Sequence, residues 1–196
     1  MVEIQKGLLS VHKKPAATLF LSAFSEKLAP ILGDDSAVLN LVQSRLVIQS
    51  CFSAVEGERL LGVLALQAQE QNFINPNFKN LWEQYGFFPA LYKGVVLSFM
   101  KHNTQVGELY IEGIAVVESA QGKGVGSKLF EALDVFAKEE RFSTITLEVI
   151  DTNSRAITLY ERLGFCVVNR SKVWPLNWLL GWGFRETILM EKEIEE

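Results

Sequence analysis

The feature that most limits the fold of this chain is the segment 120–140, AQGKGVGSKLFEALDVFAKEE, in which three glycines spaced two apart run into an amphipathic pattern. The apolar residues of GSKLFEALDVFAKEE recur at helical spacing and predict a helix, and the preceding GELYIEGIAVV predicts a strand. A strand, a short loop and a helix N-terminus point several free main-chain N–H groups and the positive end of a helix dipole at one place. The segment therefore predicts an anion site, with a pyrophosphate as the expected ligand.

The glycines of this loop let the backbone approach phosphate oxygens without side-chain collision, and Lys123 adds a positive charge at the rim. Two well-known phosphate-binding patterns do not fit. A nucleoside-triphosphate loop needs Gly where Val117 stands, and a dinucleotide fingerprint needs Gly where Ser127 stands. A tight turn that needs only positive φ angles remains the alternative. The residues expected to hold the ligand are Gln121, Gly122, Lys123, Gly124, Val125, Gly126 and Ser127.

Size and composition favour one domain. The 196 residues are 48% hydrophobic, contain no internal repeat and can bury one substantial core, so residues 1–196 are expected to form a single α/β domain. No apolar run reaches the ~18 residues of a membrane span, and the formal net charge of −4 without a basic cluster argues against a nucleic-acid partner. The N-terminus lacks signal-peptide features, and Cys51 and Cys166 lack metal-ligand spacing. We expect a cytoplasmic protein in which both cysteines are buried.

Further elements follow from periodicity and turn residues. Gly57 lies in the turn of a predicted hairpin, and Gly33 ends a predicted helix that is followed by a second helix after the capping residues Asp34 and Asp35. The segment 68–107 is irregular, and we interpret it as an insertion with two helical parts broken near 86–89. The remaining predicted strands and helix are STITLEVI, SRAITLYERLG, FCVVNRSKV and FRETILMEKEI, with the Trp-rich WPLNWLLGWG before the last strand.

Residues 108–165 contain, in order, a predicted strand, a QxxGxG loop, a helix, a second strand and the motif NSRAITLYERLGF. In this order and these motifs they resemble the GNAT acetyltransferase superfamily. The second motif matches the family pattern at Asn153, Ala156, Leu159, Tyr160, Glu161, Leu163, Gly164 and Phe165. The resemblance implies an α/β (α+β) GNAT fold: a central mixed, largely antiparallel sheet of six to seven strands, splayed between its two central strands and flanked by helices. The likeness fades before Ser50 and after Val168, and the segment 68–107 departs from the compact family pattern.

The resemblance also implies acetyl-CoA as co-substrate, without a metal ion. The pyrophosphate would bind the glycine loop, and main-chain groups of Ile114, Ala115 and Val116 would bind the pantetheine at the splay. Asn153 would contact the pantetheine arm, and Tyr160 would act as general acid toward the coenzyme sulfur. A packed core aromatic is the alternative for Tyr160.

A general base is needed because the attacking amine must be neutral. Glu108, Glu112 and Glu148 lie on the two predicted central strands, and the resemblance places a family carboxylate at each of these positions. Glu108 and Glu112 are four apart and share one sheet face, whereas Glu148 alternates with Leu147 and Val149 and faces opposite to them. We favour Glu112, nearest the splay, and then Glu148; a solvated strand carboxylate is the alternative for each. His12 and His102 are expected at the surface.

The expected activity is acetyl transfer from the coenzyme thioester to an amine by direct attack in a ternary complex. A peptide or protein N-terminal acetyltransferase of the ribosomal-protein type and a non-catalytic acyl-CoA sensor are the alternatives. The acceptor stays open between a small molecule and a peptide amine. Trp174, Trp178 and Trp182 recur every four residues and fit an acceptor pocket, an interface or core packing, and the segment 68–107 fits a lid or a homodimer contact.

Overall fold

The structure, a computed structural model, describes residues 1–33, 36–67, 72–74, 78–99 and 102–194. Its centre is one seven-stranded sheet with the order β1-β2-β3-β4-β5-β7-β6. All neighbouring strands are antiparallel except β4 and β5, which are parallel. The strands are β1 (Glu3–Lys6), β2 (Cys51–Glu56), β3 (Arg59–Gln67), β4 (Glu108–Val116), β5 (Thr144–Ile150), β6 (Cys166–Lys172) and β7 (Glu186–Glu193).

The two central strands separate partway along their length. The ladder between β4 and β5 runs from the pair Glu108/Thr144 to the pair Ile111/Leu147. Beyond it, residues 113–116 of β4 pair with β3 alone, and the register shift between Ala65 and Leu66 leaves Glu112 as an extra residue in β4. The mixed, splayed sheet expected from the resemblance is therefore confirmed.

Helices cover both faces of the sheet. Residues of α6 and α7 pack on one face with Leu109, Ile111 and Leu147, and residues of α1 to α5 and α8 pack on the other face with Val63 and Ala65. The helices are α1 (Lys13–Ala23), α2 (Ser25–Leu32), α3 (Ser36–Arg45), α4 (Phe78–Tyr85), α5 (Phe87–Phe99), α6 (Val125–Glu139), α7 (Ser154–Arg162) and α8 (Leu176–Leu180). None of these described helices combines the length and apolar character needed to cross a membrane.

Most of the predicted elements are present. The hairpin β2–β3 turns at Gly57, and two helices separated by Gly86, whose φ is 80°, lie between residues 78 and 99 of the segment 68–107. The predicted N-caps Asp34 and Asp35 lie outside the described residues. The first predicted helix is in fact two, α1 and α2, separated at Phe24. Strand β1 was not predicted, because four residues at a sheet edge carry too short a pattern.

Three expectations about burial are wrong. Cys51 is buried as predicted, but Cys166 is exposed, since it begins the edge strand β6. His12 is buried, and its Nε2 donates to the carbonyl of Glu58 at 2.9 Å. His102 is half-buried among polar partners described below. Of the three tryptophans in the Trp-rich segment before β7, Trp182 is buried in the core, whereas Trp174 and Trp178 are 78% and 80% exposed.

Candidate active site

The glycine loop leads from the end of β4 into α6. Gly122 and Gly124 have φ angles of 72° and 80°, which L side chains rarely adopt, so the turn itself requires glycine at both positions. A Cβ at either glycine would meet nothing within 4 Å, so the space beside them is open. Gly124 is the N-cap of α6, and in the described chain no hydrogen bond engages the main-chain N–H groups of residues 124–127. The loop presents these donors and the helix dipole to open space.

The other loop residues take different roles. Gln121 donates from Nε2 to the carbonyl of Val116 at 3.1 Å and so ties the loop to the end of β4. Lys123 is exposed at the rim. Val125 is buried in the core beneath α6, so only its amide faces the loop. A tight turn that needs glycine for its positive φ angles therefore accounts for Gly122 and Gly124. Gly126 is an ordinary helical residue, and a Cβ at this position would lie 3.9 Å from Ile114.

Residues 114–116 form one margin of the splay. Leu64, Val63 and Gly62 of β3 pair with Ile114, Ala115 and Val116. On the side that faces β5, these three residues have no strand partner among the described residues. The structure describes every residue from 102 to 194, which includes all of β4 and β5. These three residues are therefore paired on one edge of β4 and unpaired on the other. Main-chain groups on that edge are available to a ligand that enters between the strands.

Tyr160 and Asn153 both belong to α7. Tyr160 is buried with its ring 5.9 Å from that of Phe130 and 6.0 Å from that of Phe165, and burial raises the pKa of its hydroxyl to about 12. Asn153 is the N-cap of the helix, and its Oδ1 accepts from the amide of Ala156 at 3.1 Å. This cap assigns Asn153 a structural role that the sequence reasoning did not predict.

The three candidate carboxylates share one face of the sheet. Glu148 lies opposite Leu147 and Val149, as predicted, but that is also the face of Glu108 and Glu112, because Leu109, Ile111, Leu147 and Val149 all pack on the α6 side. The contrast drawn from the sequence between Glu148 and the other two is therefore wrong. The parallel register of β4 and β5 explains this, since it aligns Tyr110 with Thr146. All three carboxylates act electrostatically on Tyr110 and, with burial as the larger cause, raise the pKa of its hydroxyl.

Glu112 lies at the point where β4 and β5 separate. Its Oε1 accepts from the amide of Phe73 at 3.0 Å, and the amide of Ile74 donates as well. Burial outweighs these hydrogen bonds and raises the pKa of Glu112 to about 8. A carboxylate with this pKa changes its protonation state close to neutral pH, which is the property required of a general base.

Glu108 is fully engaged in a polar network. His102 contacts its Oε1 through Nε2 at 2.7 Å, the amide of Gln105 donates to Oε2 at 2.7 Å, and Thr146 donates to Oε1. Burial raises the pKa of Glu108, but these hydrogen bonds and His102 outweigh it and hold the pKa below its usual value. The ring of His102 also stacks on Tyr110 with 4.1 Å between centroids. Because its pKa is lowered whereas that of Glu112 is raised, the Glu108 carboxylate is a weaker base than that of Glu112.

Two residues that the sequence reasoning missed reach the splay from the junction of α1 and α2. The ring of Phe24 lies against the backbone of Gly113 and leaves no room for a side chain there. Lys27, one helical turn later, is half-buried and close enough to Glu148 for the two charges to interact. Phe24 continues a helical pattern in the sequence, so no local signal distinguishes it. The described residues contain no group of three or more His, Cys, Asp or Glu side chains placed to hold a metal ion.

The family of the chain follows from a match to the acetyltransferase (GNAT) family model over residues 47–165, which is more than half of the sequence. The chain belongs to this family, whose members are acyltransferases. The matched region contains the splayed strands, the glycine loop, the three carboxylates and α7.

Curated relatives match in part. A thialysine N-epsilon-acetyltransferase from Bos taurus is 31% identical over 94 residues, which cover 47% of this chain and 55% of that protein. N-alpha-acetyltransferase 30 from Schizosaccharomyces pombe is 41% identical over 69 residues, which cover 35% and 45%. The matches thus span about half, or less, of these relatives' own length.

Solved structures share the fold over the whole chain. A ribosomal-protein alanine N-acetyltransferase from Escherichia coli aligns with a TM-score of 0.58 at 18% identity and covers 100% of this chain and 96% of that one. An acetyltransferase from Bacillus subtilis in complex with CoA aligns with a TM-score of 0.57 at 17% identity and covers 99% and 98%. At these identities the likeness concerns the fold.

Proposed function

We propose that this protein is an acetyl-CoA-dependent N-acetyltransferase in which an amine attacks the coenzyme thioester directly, within a ternary complex. One observation carries the proposal. The gap between β4 and β5 leads at one end to the free N–H groups of the glycine loop and carries Glu112 and Glu148 on one face. A ligand with a pyrophosphate and an extended arm fits the first part, and an amine fits the second.

The loop residues 121–127 would hold the pyrophosphate through main-chain N–H groups and the dipole of α6, with Lys123 at the rim. The free edge of residues 114–116 would hold the pantetheine arm by main-chain hydrogen bonds. One N–H of this edge would polarise the thioester carbonyl and stabilise the negative charge that develops on its oxygen. Asn153 would lie beside the arm while capping α7.

Proton transfers would involve two side chains. Glu112 would accept the proton of the acceptor amine, and Glu148, on the same face, is the second candidate. As the C–S bond breaks, Tyr160 would donate its proton to the coenzyme sulfur. The raised pKa of Tyr160 keeps its hydroxyl protonated at neutral pH, as this role requires.

Two other functions are tested by the same experiment. Peptide N-terminal acetylation is favoured by the 41% identity with an N-alpha-acetyltransferase over 69 residues. An acyl-CoA sensor would use the loop without turnover. Calorimetry with acetyl-CoA, followed by a thiol-release assay with small amines and peptides, separates the three. Binding without thiol release indicates a sensor, release with peptides alone indicates the peptide enzyme, and an absence of binding rejects the whole proposal.

We further propose that residues 1–196 form one cytoplasmic domain with an insertion at 68–107, and that the insertion mediates a homodimer. Helices α4 and α5 expose an unusually apolar surface whose five aromatics, at ~150–250 Å² each and about half exposed, amount to roughly 500 Å². That is a large part of the ~800 Å² that each partner contributes to a standard interface. The surface consists of Phe78, Trp82, Phe87, Phe88, Leu91, Tyr92 and Val95.

Sedimentation velocity tests this dimer. The wild-type chain should sediment as a dimer at micromolar concentration, and Phe88→Lys should sediment as a monomer, because Phe88 is 81% exposed on the apolar surface. Val135→Lys, on the exposed side of α6, is the matched control and should leave the dimer intact. A monomeric wild-type protein would contradict the proposal.

A further inference from the structure

The junction of α1 and α2 lies across the gap between the two central strands. At one end of the junction the ring of Phe24 lies against Gly113 of β4. Three residues later, Lys27 interacts with Glu148 of β5. The junction therefore lies over the face of the splay that carries the candidate base residues.

The position of Lys27 is fixed by packing. The indole Nε1 of Trp182 donates to the carbonyl of Lys27 at 3.2 Å, and a Cβ at Gly183 would lie 3.2 Å from Oε1 of Glu26, so α2 is in close contact with the segment before β7. Leu28 and Ile150 belong to the same hydrophobic cluster as Trp182. Ile150 follows Glu148 on the same face of β5, so the cluster sets α2 beside the base residues.

The charge of Lys27 has no close partner among the described residues of this face. In the part of the chain that the structure describes, its Nζ forms no ion pair within 4.0 Å and no hydrogen bond. Burial lowers the pKa of the ammonium, and Glu148 opposes this effect. Glu108 binds His102 and the Oε1 of Glu112 accepts from the amide of Phe73, and among the described residues neither carboxylate forms an ion pair with Lys27. An ammonium in this setting favours a carboxylate that arrives with a ligand.

We propose, on the basis of the acetyltransferase activity proposed above, that the acceptor is an amino acid whose carboxylate binds Lys27 while its amine faces Glu112 and Glu148. The carboxylate base takes one proton from the ammonium group, and the neutral amine nitrogen then forms a bond to the acetyl carbon as the C–S bond breaks. The sulfur takes a proton from Tyr160, and the second proton that the nitrogen loses leaves to solvent, from which Tyr160 is reprotonated. An acceptor with an amine alone would bring a second cation close to Lys27, and the repulsion would weaken its binding. Lys27 thus selects for a zwitterion over a simple amine or a peptide N-terminus.

The test compares each amino acid with its own amide in the thiol-release assay, and the quantity of interest is the ratio of the two kcat/KM values. Wild-type protein should prefer the free carboxylate. Lys27→Gln should lower the ratio by about 10- to 100-fold, which corresponds to the loss of one charge-assisted hydrogen bond. Because each ratio is compared between variants, the different amine pKa of acid and amide cancels. Lys27→Arg should keep most of the preference.

A matched control is Lys138→Gln, at the exposed end of α6 on the opposite face of the sheet, which should keep the wild-type ratio. A wild-type preference for the amide, or an unchanged ratio in Lys27→Gln, overturns the assignment while leaving the acetyltransferase activity in place. The wild-type comparison alone decides the matter if Lys27→Gln does not fold. If wild-type protein neither binds acetyl-CoA nor releases thiol with any amine, the proposed function fails, and the acceptor assignment fails with it.

Discussion

Tyr160 is the residue on which protonation of the leaving sulfur depends in the proposed reaction. Tyr160→Phe removes one hydroxyl but keeps the ring contacts with Phe130 and Phe165, so the fold and coenzyme affinity should change little. Loss of general-acid help typically lowers a rate by about 10²–10⁴-fold. We expect the lower end here, because the raised pKa makes the phenol a weak donor and a thiolate is only modestly basic.

Single-turnover kinetics at saturating acetyl-CoA measures this loss, because it reports the chemical step without product release. Calorimetry on the same variant checks that coenzyme affinity is retained. A single-turnover rate equal to that of wild type would show that Tyr160 is a packing residue.

Glu112 determines the pH window of the proposed base catalysis. Burial raises its pKa to about 8, so the carboxylate forms as the pH rises through that value, and kcat/KM of the wild type should rise with it. Glu112→Gln should lack this rise. Its largest loss of activity should lie between about pH 8, where the Glu112 carboxylate of the wild type has formed, and about pH 10, where an alkyl amine becomes neutral without a base. Above that range the variant should recover in part.

The measurement is a pH profile of kcat/KM from about pH 6 to about pH 11, the range over which the Glu112 carboxyl and an alkyl amine titrate. Glu140→Gln, in an exposed position after α6, is the matched control and should follow the wild-type curve. Superimposable profiles for wild type and Glu112→Gln would remove Glu112 from the mechanism and leave Glu148 as the next residue to test.

The glycine loop and the first turn of α6 act together as one anion site, and Gly124 offers a direct test. Gly124→Val places a branched side chain in the open space beside the free N–H groups, so acetyl-CoA affinity should fall by at least about tenfold, or ~1.4 kcal/mol. A branched residue is also strained at a φ of 80°. The affinity loss must therefore be separated from loss of stability.

Gly57→Val supplies that separation. Gly57 has a φ of 60° in the β2–β3 turn, and a Cβ there also meets nothing within 4 Å, so the backbone cost is matched at a position away from the loop. Both variants should show a similar fall in melting temperature, and only Gly124→Val should lose acetyl-CoA affinity by calorimetry. Equal affinity in the two variants would contradict the loop assignment.

Local patterns explain which elements could be predicted from the sequence. The loop and α6 follow from glycine spacing and helical periodicity, and α7 follows from its own motif, so these elements were placed within one or two residues. Strand β1 is four residues long and pairs at the edge of the sheet, which leaves too little pattern to detect. The break at Phe24 is equally invisible, because the helical pattern continues through it and the ring contacts Gly113, far away in the sequence.

The candidate site was predictable to the extent that its residues lie on β4, α6, β5 and α7. What the sequence could not give is how these elements meet the rest of the chain. The shared face of the three carboxylates depends on the parallel register of β4 and β5, and the hydrogen bonds to Glu112 come from the segment 72–74. Lys27 reaches Glu148 only through tertiary packing, and His102 reaches Glu108 through the irregular segment that leads into β4, so no spacing rule predicts either contact.

The free energy of unfolding of the whole molecule should depend on pH through the titration of Glu112. In the unfolded chain this carboxyl has its usual pKa near 4.5, and in the folded protein the pKa is about 8, so the folded state binds more protons between these two values. The contribution of Glu112 is therefore fully favourable below about pH 4.5 and is lost as the pH rises through 8. At ~1.4 kcal/mol per pKa unit, its loss is on the order of a few kcal/mol.

Glu108 acts in the opposite direction, because its pKa is lowered in the folded protein and its contribution is lost as the pH falls through the folded pKa. Comparison of the wild type with Glu112→Gln removes this shared effect. The free energy of unfolding of both proteins is measured by urea denaturation at several values from about pH 5 to 9. As the pH rises, the wild type should lose stability relative to Glu112→Gln, and the difference should level off above about pH 8. Glu140→Gln should show no such trend, and a pH-independent difference for Glu112→Gln would show that the folded protein does not hold this carboxyl protonated near neutral pH.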